Sequence, residues 1–217
     1  MPTLSEHESK RLLAAHGIPV PDERLVSTPE AAAEAADALG YPVALKLCGR
    51  ALAHKSERGL VKLGVAERAA VLAQARELFA CAQPGDGEVA LLVAPMLRGR
   101  RELIAGLVRD AQFGPCVMFG LGGIFAEALD DVAFAAAPLA PGDAEDLIGA
   151  LAHAKLLGAF RGEPAVDRDA LARVLEALAQ IGVDRPDVRS IDLNPLILVE
   201  GRPVVADALV ELSEGNS

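Results

Sequence analysis

Two short apolar runs, each interrupted by one lysine, constrain the fold of this chain more than any other feature: Val43-Ala-Leu-Lys46-Leu47 and Gly59-Leu-Val-Lys62-Leu63. Stretches of this length, rich in Val and Leu and flanked by Gly and Pro, read as strands. The chain therefore builds sheet here. Lys46 and Lys62 project from it, and residues 48–60 form the connection that carries His54-Lys55-Ser56-Glu57. Two ammonium groups beside an imidazole attract polyphosphate, and a neutral imidazole nitrogen can attack a phosphoryl group to give phosphohistidine. A loop histidine is as readily an ordinary solvated residue, so local spacing leaves both readings open.

Composition narrows the classes. At 217 residues and 52% hydrophobic, the chain can bury the core of one large domain or two subdomains. Only 3% of residues are aromatic and none is Trp, so the core is Ala, Leu, Val and Ile, and stacking platforms for bases are scarce. A net charge of −10 supplies no basic field to displace counterions, which excludes nonspecific nucleic-acid binding. Cys48, Cys81 and Cys116 form no CxxC pair and are expected as reduced, structural thiols. The opening Met-Pro-Thr-Leu-Ser-Glu-His-Glu has no basic and apolar leader pattern, and no apolar run reaches bilayer length. A cytoplasmic protein with no membrane partner is expected.

Along the chain, Ser5 and Glu8 form a capping box ahead of a short helix ended by Gly17 and Pro19, and Thr28-Pro29-Glu30 starts an alanine-rich helix to Leu39. A helix over 66–80 is predicted, then a break at Gln83-Pro-Gly-Asp-Gly87 and a buried strand over 89–94. Pro95 to Arg101 reads as a hinge. Beyond it, 102–109 and 115–119 read as strands, 144–157 and 169–180 as helices with His153 inside the first, and 188–193 and 196–199 as strands. Strands and helices mix without a regular βαβ rhythm, which predicts an α+β arrangement of two sheet-containing lobes with a ligand cleft between them. The expected division is a helical segment over 1–20, a first lobe over 21–95 and a second over 96–217.

Two further segments carry chemistry. Phe119-Gly-Leu-Gly-Gly-Ile-Phe125-Ala-Glu127 follows a strand, and Gly122 and Gly123 let backbone amides approach an anion, though glycines equally serve a tight crossing. It matches neither the Walker A pattern nor GxGxxG. Asp192 and Asn194, two apart in an extended segment, share a face. Asp207 joins them if the chain forms a hairpin around Glu200-Gly201-Arg202. Three hard oxygen ligands suit Mg2+, while an Asx turn before Pro195 is the ordinary alternative. His7 and His16 have no acidic or thiol partner at ligand spacing.

Leu4-Ser-Glu-His-Glu8, Gly17-Ile-Pro-Val-Pro21, Tyr41-Pro-Val43, His54-Lys-Ser56, Arg109-Asp-Ala-Gln-Phe-Gly-Pro115, Gly120-Leu-Gly-Gly-Ile-Phe125 and Asp192-Leu-Asn-Pro195 follow one another in an order and spacing that span nearly the whole chain. In this it resembles the ATP-grasp domain of NDP-forming acyl-CoA synthetases, as in the β subunit of ADP-forming acetyl-CoA synthetase and, more distantly, succinyl-CoA synthetase. The resemblance implies an ATP-grasp fold with ATP or ADP between its lobes. Lys46 would lie on the phosphates, Val93 and Met96 in the hinge near adenine, Glu102 near the nucleoside, and Gly122 and Gly123 in the phosphate loop. Mg2+ would be held by Asp192, Asn194 and Asp207. His54 would be the phosphorylatable histidine. Arg161 would offer a guanidinium to phosphate or serve only a turn.

The implied partner is an α subunit with CoA-binding and flavodoxin-like domains in an α2β2 assembly, which holds CoA and the acyl group. Two positions depart from the family pattern: Leu60 stands where a second glycine is usual, and Ala135 where an arginine is. They motivate an alternative reading as a noncatalytic regulatory or scaffold module. A third reading is a carboxylate-amine ligase, which would leave His54 without a covalent role.

Overall fold

Several of the helices begin where the sequence supplies a side-chain acceptor for their first amides. Ser5 and Glu8 cap each other reciprocally ahead of α1 (Glu6–Ala15), with Ser5 N donating to Glu8 Oε2 at 2.9 Å and Glu8 N to Ser5 Oγ at 3.3 Å. Thr28 caps α2 (Pro29–Leu39) by accepting from Ala31 N, and Gly40, at φ 84°, ends it. The computed structural model describes residues 2–52, 58–123, 130–160 and 162–213. They fall into two compact units: Thr3–Glu8 with Pro21–Leu97, and Met1–Pro2 with Ser9–Val20 and Arg98–Ser217.

The first unit is built on a four-stranded antiparallel sheet in the order β1-β4-β2-β3, from β1 (Arg24–Val26), β2 (Val43–Cys48), β3 (Val61–Val65) and β4 (Ala90–Pro95). Every residue of β2 is buried, as a central strand requires. Its core joins Val43, Leu45, Leu47, Leu91 and Val93 to Ala32, Ala33 and Ala36 of α2 and Val71, Ala75 and Leu78 of α3 (Arg68–Ala80). Small alanines at these positions let helix and sheet pack closely in a chain with few aromatics.

The second unit carries a six-stranded sheet, ordered β10-β8-β5-β6-β7 with β9 on β8. Its strands are β5 (Glu102–Asp110), β6 (Gly114–Leu121), β7 (Val132–Ala136), β8 (Val188–Val199), β9 (Arg202–Val205) and β10 (Ala208–Leu212). Against it packs a 17-residue helix, Arg168–Asp184, capped by Asp167 and numbered α5 after α4 (Asp143–Gly149). A Cβ on Gly182 would meet Leu107 and Pro115 at 2.9 Å, so this glycine lets the helix lie on the sheet. Arg109 fastens the same corner, donating from Nε to Val188 O at 2.8 Å and from Nη2 to the carbonyls of Gly182 at 2.6 Å and Arg185 at 2.8 Å.

Two expectations require correction. The helix predicted over 144–157 ends at Gly149, and a 3-10 turn, Ala154–Leu157, follows. The cause is Asp131, whose carboxylate accepts the amides of Ala152 at 2.9 Å and His153 at 2.8 Å. Those amides are thereby diverted from the helix, so His153 is not a mid-helix residue; its Nδ1 lies 3.0 Å from Asp131 Oδ2. The strands predicted over 188–193 and 196–199 are one strand, β8, running through Asn194-Pro195, with a register shift against β5 between Leu103 and Ala105. A proline cannot donate to the ladder, and the irregularity absorbs the missing bond.

Candidate functional site

Along β8 burial alternates: Ile191 and Leu193 are buried, Asp192 and Asn194 exposed. The pleat therefore puts the apolar pair on one face and the polar pair on the other. The chain turns at Glu200 and Gly201, both at positive φ, and β9 returns along β8 with Leu196 opposite Val205. The expected hairpin is present. Asn194 N donates to Asp207 O at 3.3 Å and Ala208 lies opposite Leu193, which brings Asp207 beside the Asp192–Asn194 face. Asp192 keeps exposed surface, yet protein on its flanks, and secondarily the carboxylate of Asp207, raises its pKa above the ordinary aspartate value. Two carboxylates that repel each other, with an amide oxygen alongside, form a donor set that suits a divalent cation: the ion would remove the repulsion, and hard oxygens are what Mg2+ prefers.

In the same unit a cavity of about 460 Å3 is lined by Glu102, Gly122 and Gly123 together with Arg100, Arg101, Leu103, Leu121, Leu156, Leu157, Phe160, Glu163 and Leu198. Three residues singled out by sequence thus meet around one space. Their closeness requires glycine: a Cβ on Gly122 would lie 2.8–2.9 Å from the backbone of Glu102 and Leu103, and one on Gly123 3.1 Å from Glu102 Oε2. Gly122 N also donates to Glu102 O at 2.9 Å. Apolar walls with a few convergent polar groups are the usual make-up of a small-molecule site.

The other candidates lie in the first unit or outside the described residues. Lys46 is buried, and its Nζ is 2.7 Å from Glu6 Oε1, itself withdrawn from solvent. Lys62 pairs with Glu77. Val93 is wholly buried, with strand neighbours on both sides (Arg24 and Leu45), so its side chain belongs to the core. Met96 N donates to Pro42 O at 3.1 Å, and its sulfur accepts from Gly64 N at 3.4 Å. Leu60, the residue in place of a glycine, is 1% exposed in the hydrophobic core, and its carbonyl accepts from Leu47 N at 2.9 Å. It anchors the chain as it leaves the loop. Ala135 sits on β7 opposite Val117. His54, Glu127 and Arg161 lie outside the described residues.

Sequence reasoning missed three residues that organise these sites. Glu6 pairs with Lys46 from 40 positions upstream, Asp131 fixes the 152–153 amides, and Arg101 grips carbonyls beyond position 155. Only Arg101 left a local sign: it adjoins Glu102 in an Arg100-Arg101-Glu102 run.

A family model described as an ATP-grasp domain matches residues 2–212. The beta subunit of acetate--CoA ligase [ADP-forming] I from Pyrococcus furiosus is 35% identical over 212 residues, covering 94% of this chain and 90% of that one. Among solved structures, dinucleotide-forming acetyl-coenzyme A synthetase 1 of Ca. Korarchaeum cryptofilum, in complex with coenzyme A, Ca-AMPCP and HgCl+, superposes with a TM-score of 0.91. It is 38% identical, over 98% of this chain and 94% of that chain. A second structure of that enzyme, with coenzyme A and Mg-AMPPCP and its phosphohistidine segment pointing towards the nucleotide-binding site, gives 0.83 at 38% identity over 96% and 92% of the two chains. With sheet order, glycine loop and acidic hairpin in hand, and relatives matched over almost their entire length, the chain belongs to the ATP-grasp domain family, beside the beta subunits of ADP-forming acetate--CoA ligases.

Proposed function

We propose that the chain is the nucleotide-binding subunit of an ADP-forming acyl-CoA synthetase, catalysing with a partner subunit acyl-CoA + ADP + phosphate ⇌ carboxylate + CoA + ATP. The observation that carries this reading is the convergence of Glu102, Gly122 and Gly123 on one cavity, in the unit whose β8–β9 hairpin gathers Asp192, Asn194 and Asp207. ADP or ATP is the nucleotide. The metal is Mg2+, which supplies charge neutralisation on the phosphates; Asp192, Asn194 and Asp207 are the residues to hold it. Phosphoryl transfer asks the protein mainly for positioning and neutralisation, which glycine-loop amides and cationic side chains provide.

His54 is the covalent carrier. Its imidazole nitrogen takes the phosphoryl group from the partner's phosphohistidine, whose nitrogen leaves, and passes it to the β-phosphate oxygen of ADP. The support is the lysine-flanked sequence around His54 and the family membership. The partner is an α subunit that holds CoA and the acyl group, in our reading with CoA-binding and flavodoxin-like domains and an α2β2 stoichiometry. A cytoplasmic setting follows from substrates such as ADP and CoA and agrees with Cys48, Cys81 and Cys116 being outside any disulfide. Among the described residues no helix is long and apolar enough to cross a membrane.

Reconstitution with the partner chain tests the reading. Phosphate is expected on His54 by mass spectrometry under acid-free conditions, and His54→Ala is expected to abolish ATP formation. ATP synthesis at the wild-type rate by His54→Ala refutes the relay.

A further inference from the structure

Arg101 lines the cavity, and its guanidinium donates to three backbone carbonyls more than fifty positions away in sequence. Its Nη1 donates to Leu156 O at 3.2 Å and Gly158 O at 2.8 Å, and its Nη2 to Pro164 O. Its backbone is held as firmly: Leu198 N donates to Arg101 O at 3.0 Å, and Gly99, where a Cβ would lie 2.3 Å from Leu198 O, permits that approach. One guanidinium therefore ties the entry of β5 to the polypeptide that supplies Leu156, Leu157, Phe160 and Glu163 to the cavity. Its Nε is buried and has no acceptor among the described residues. Leaving a buried donor unmade is costly, so a bare structural tie would favour a shorter or less polar side chain here. A planar fork that spans three carbonyls is something arginine can do and lysine cannot.

We infer that Arg101 is a positioning residue for the nucleotide: it sets the Leu156, Leu157, Phe160 and Glu163 wall at a fixed distance from Glu102, Gly122 and Gly123, so that the cavity is formed before the nucleotide arrives. The inference rests on the nucleotide reading above. It differs from a direct phosphate contact, because both terminal nitrogens of Arg101 are already committed to carbonyls. A preformed wall lowers the ordering cost of binding and leaves the chemical step untouched, which separates KM from kcat.

The test uses the reconstituted two-subunit enzyme. Arg101→Lys keeps the charge and loses the fork; KM for ADP is expected to rise about tenfold with kcat within about twofold of wild type. An unchanged KM in a folded variant, or a lowered melting temperature with KM unchanged, overturns the inference in favour of a purely structural tie. A measurement on the wild type stands apart from any variant's folding: the amides of Leu156, Gly158 and Phe160, which already donate to His153 O, Lys155 O and Glu163 O, are expected to be protected from hydrogen exchange before Mg-ADP is added, while those of Gly122 and Gly123 gain protection on adding it. Calorimetry run alongside distinguishes the two possible failures. Mg-ADP that binds to a protein whose 156, 158 and 160 amides exchange freely until it is added removes the inference alone, whereas no binding removes the nucleotide reading and the inference with it.

Discussion

Glu6 and Lys46 form an ion pair at 2.7 Å with both side chains withdrawn from water, at 0% and 10% exposure. The helix that opens the chain thus reaches the middle of a wholly buried strand. Removing one partner of such a pair is expensive, because the remaining charge stays in a low dielectric. Glu6→Ala is expected to cost about 3 kcal/mol of stability in urea unfolding, and Glu6→Ala with Lys46→Met to recover much of it. If Lys46 also meets the nucleotide's phosphates, as the family resemblance implies, the double variant should regain stability yet bind Mg-ADP more weakly than Glu6→Ala.

The carboxylates of Asp192 and Asp207 oppose each other in the absence of a cation. Asp207→Asn is therefore expected to leave the metal-free protein at least as stable as wild type. The cost should appear only on ligand addition. At a hundredfold excess over Kd, a ligand that binds only the folded state stabilises it by about 2.7 kcal/mol. Thermal unfolding of the wild type with Mg-ADP should show that increment, and the variant should not.

Asp86 accepts both terminal nitrogens of Arg58, at 2.7 and 2.9 Å, and the amide of Gln83 at 2.8 Å. Arg58 first, then that backbone bond, lowers its pKa from 3.8 to about 2. A depressed carboxylate pKa contributes stability that is complete above the unfolded value and is lost as pH falls through the folded one. The acid limb of the stability curve between pH 3.8 and about 2 should therefore carry an Asp86 component. Asp86→Asn should flatten that limb while lowering stability at neutral pH, as read by denaturant melts across this range.

Gly122 tolerates no side chain without displacing the backbone of Glu102 and Leu103. Gly122→Ala should cost about 1–3 kcal/mol, the usual range for overpacking, and raise KM for ADP more than it lowers kcat. Gly85→Ala is the control, since a Cβ there meets nothing within 4 Å.

Much of the candidate site's arrangement was legible because it is local. Asp192 and Asn194 are two apart on one strand, the Glu200-Gly201 turn returns the chain to bring in Asp207, and Gly122 follows the strand that Glu102 pairs beside. What the sequence hid are long-range capture events. Nothing near Ala152 announces that Asp131, 21 positions earlier, will take its amide and stop a helix whose apolar spacing continues. Nothing near Lys46 names Glu6. The edge strand β7 went unread because Ala133, Ala135 and Ala136 are good helix formers and only pairing with β6 makes them strand. Leu60 looked like the loss of a flexible glycine. In the fold it is a core residue that fixes where the loop rejoins the sheet, which weakens the case for a degenerate module.

On β8 the residues that seal the interior and those that meet solvent are written alternately into the same few positions. A slip of one residue would turn Asp192 and Asn194 inward and expose Ile191 and Leu193, a change the lobe could not survive. Mutation cannot therefore drift the candidate ligands gradually out of aim while the lobe still folds. Any descendant of this chain that retains its interior inherits the direction of its acidic hairpin as well, and only the identity of the side chains at 192, 194 and 207 is left for selection to vary.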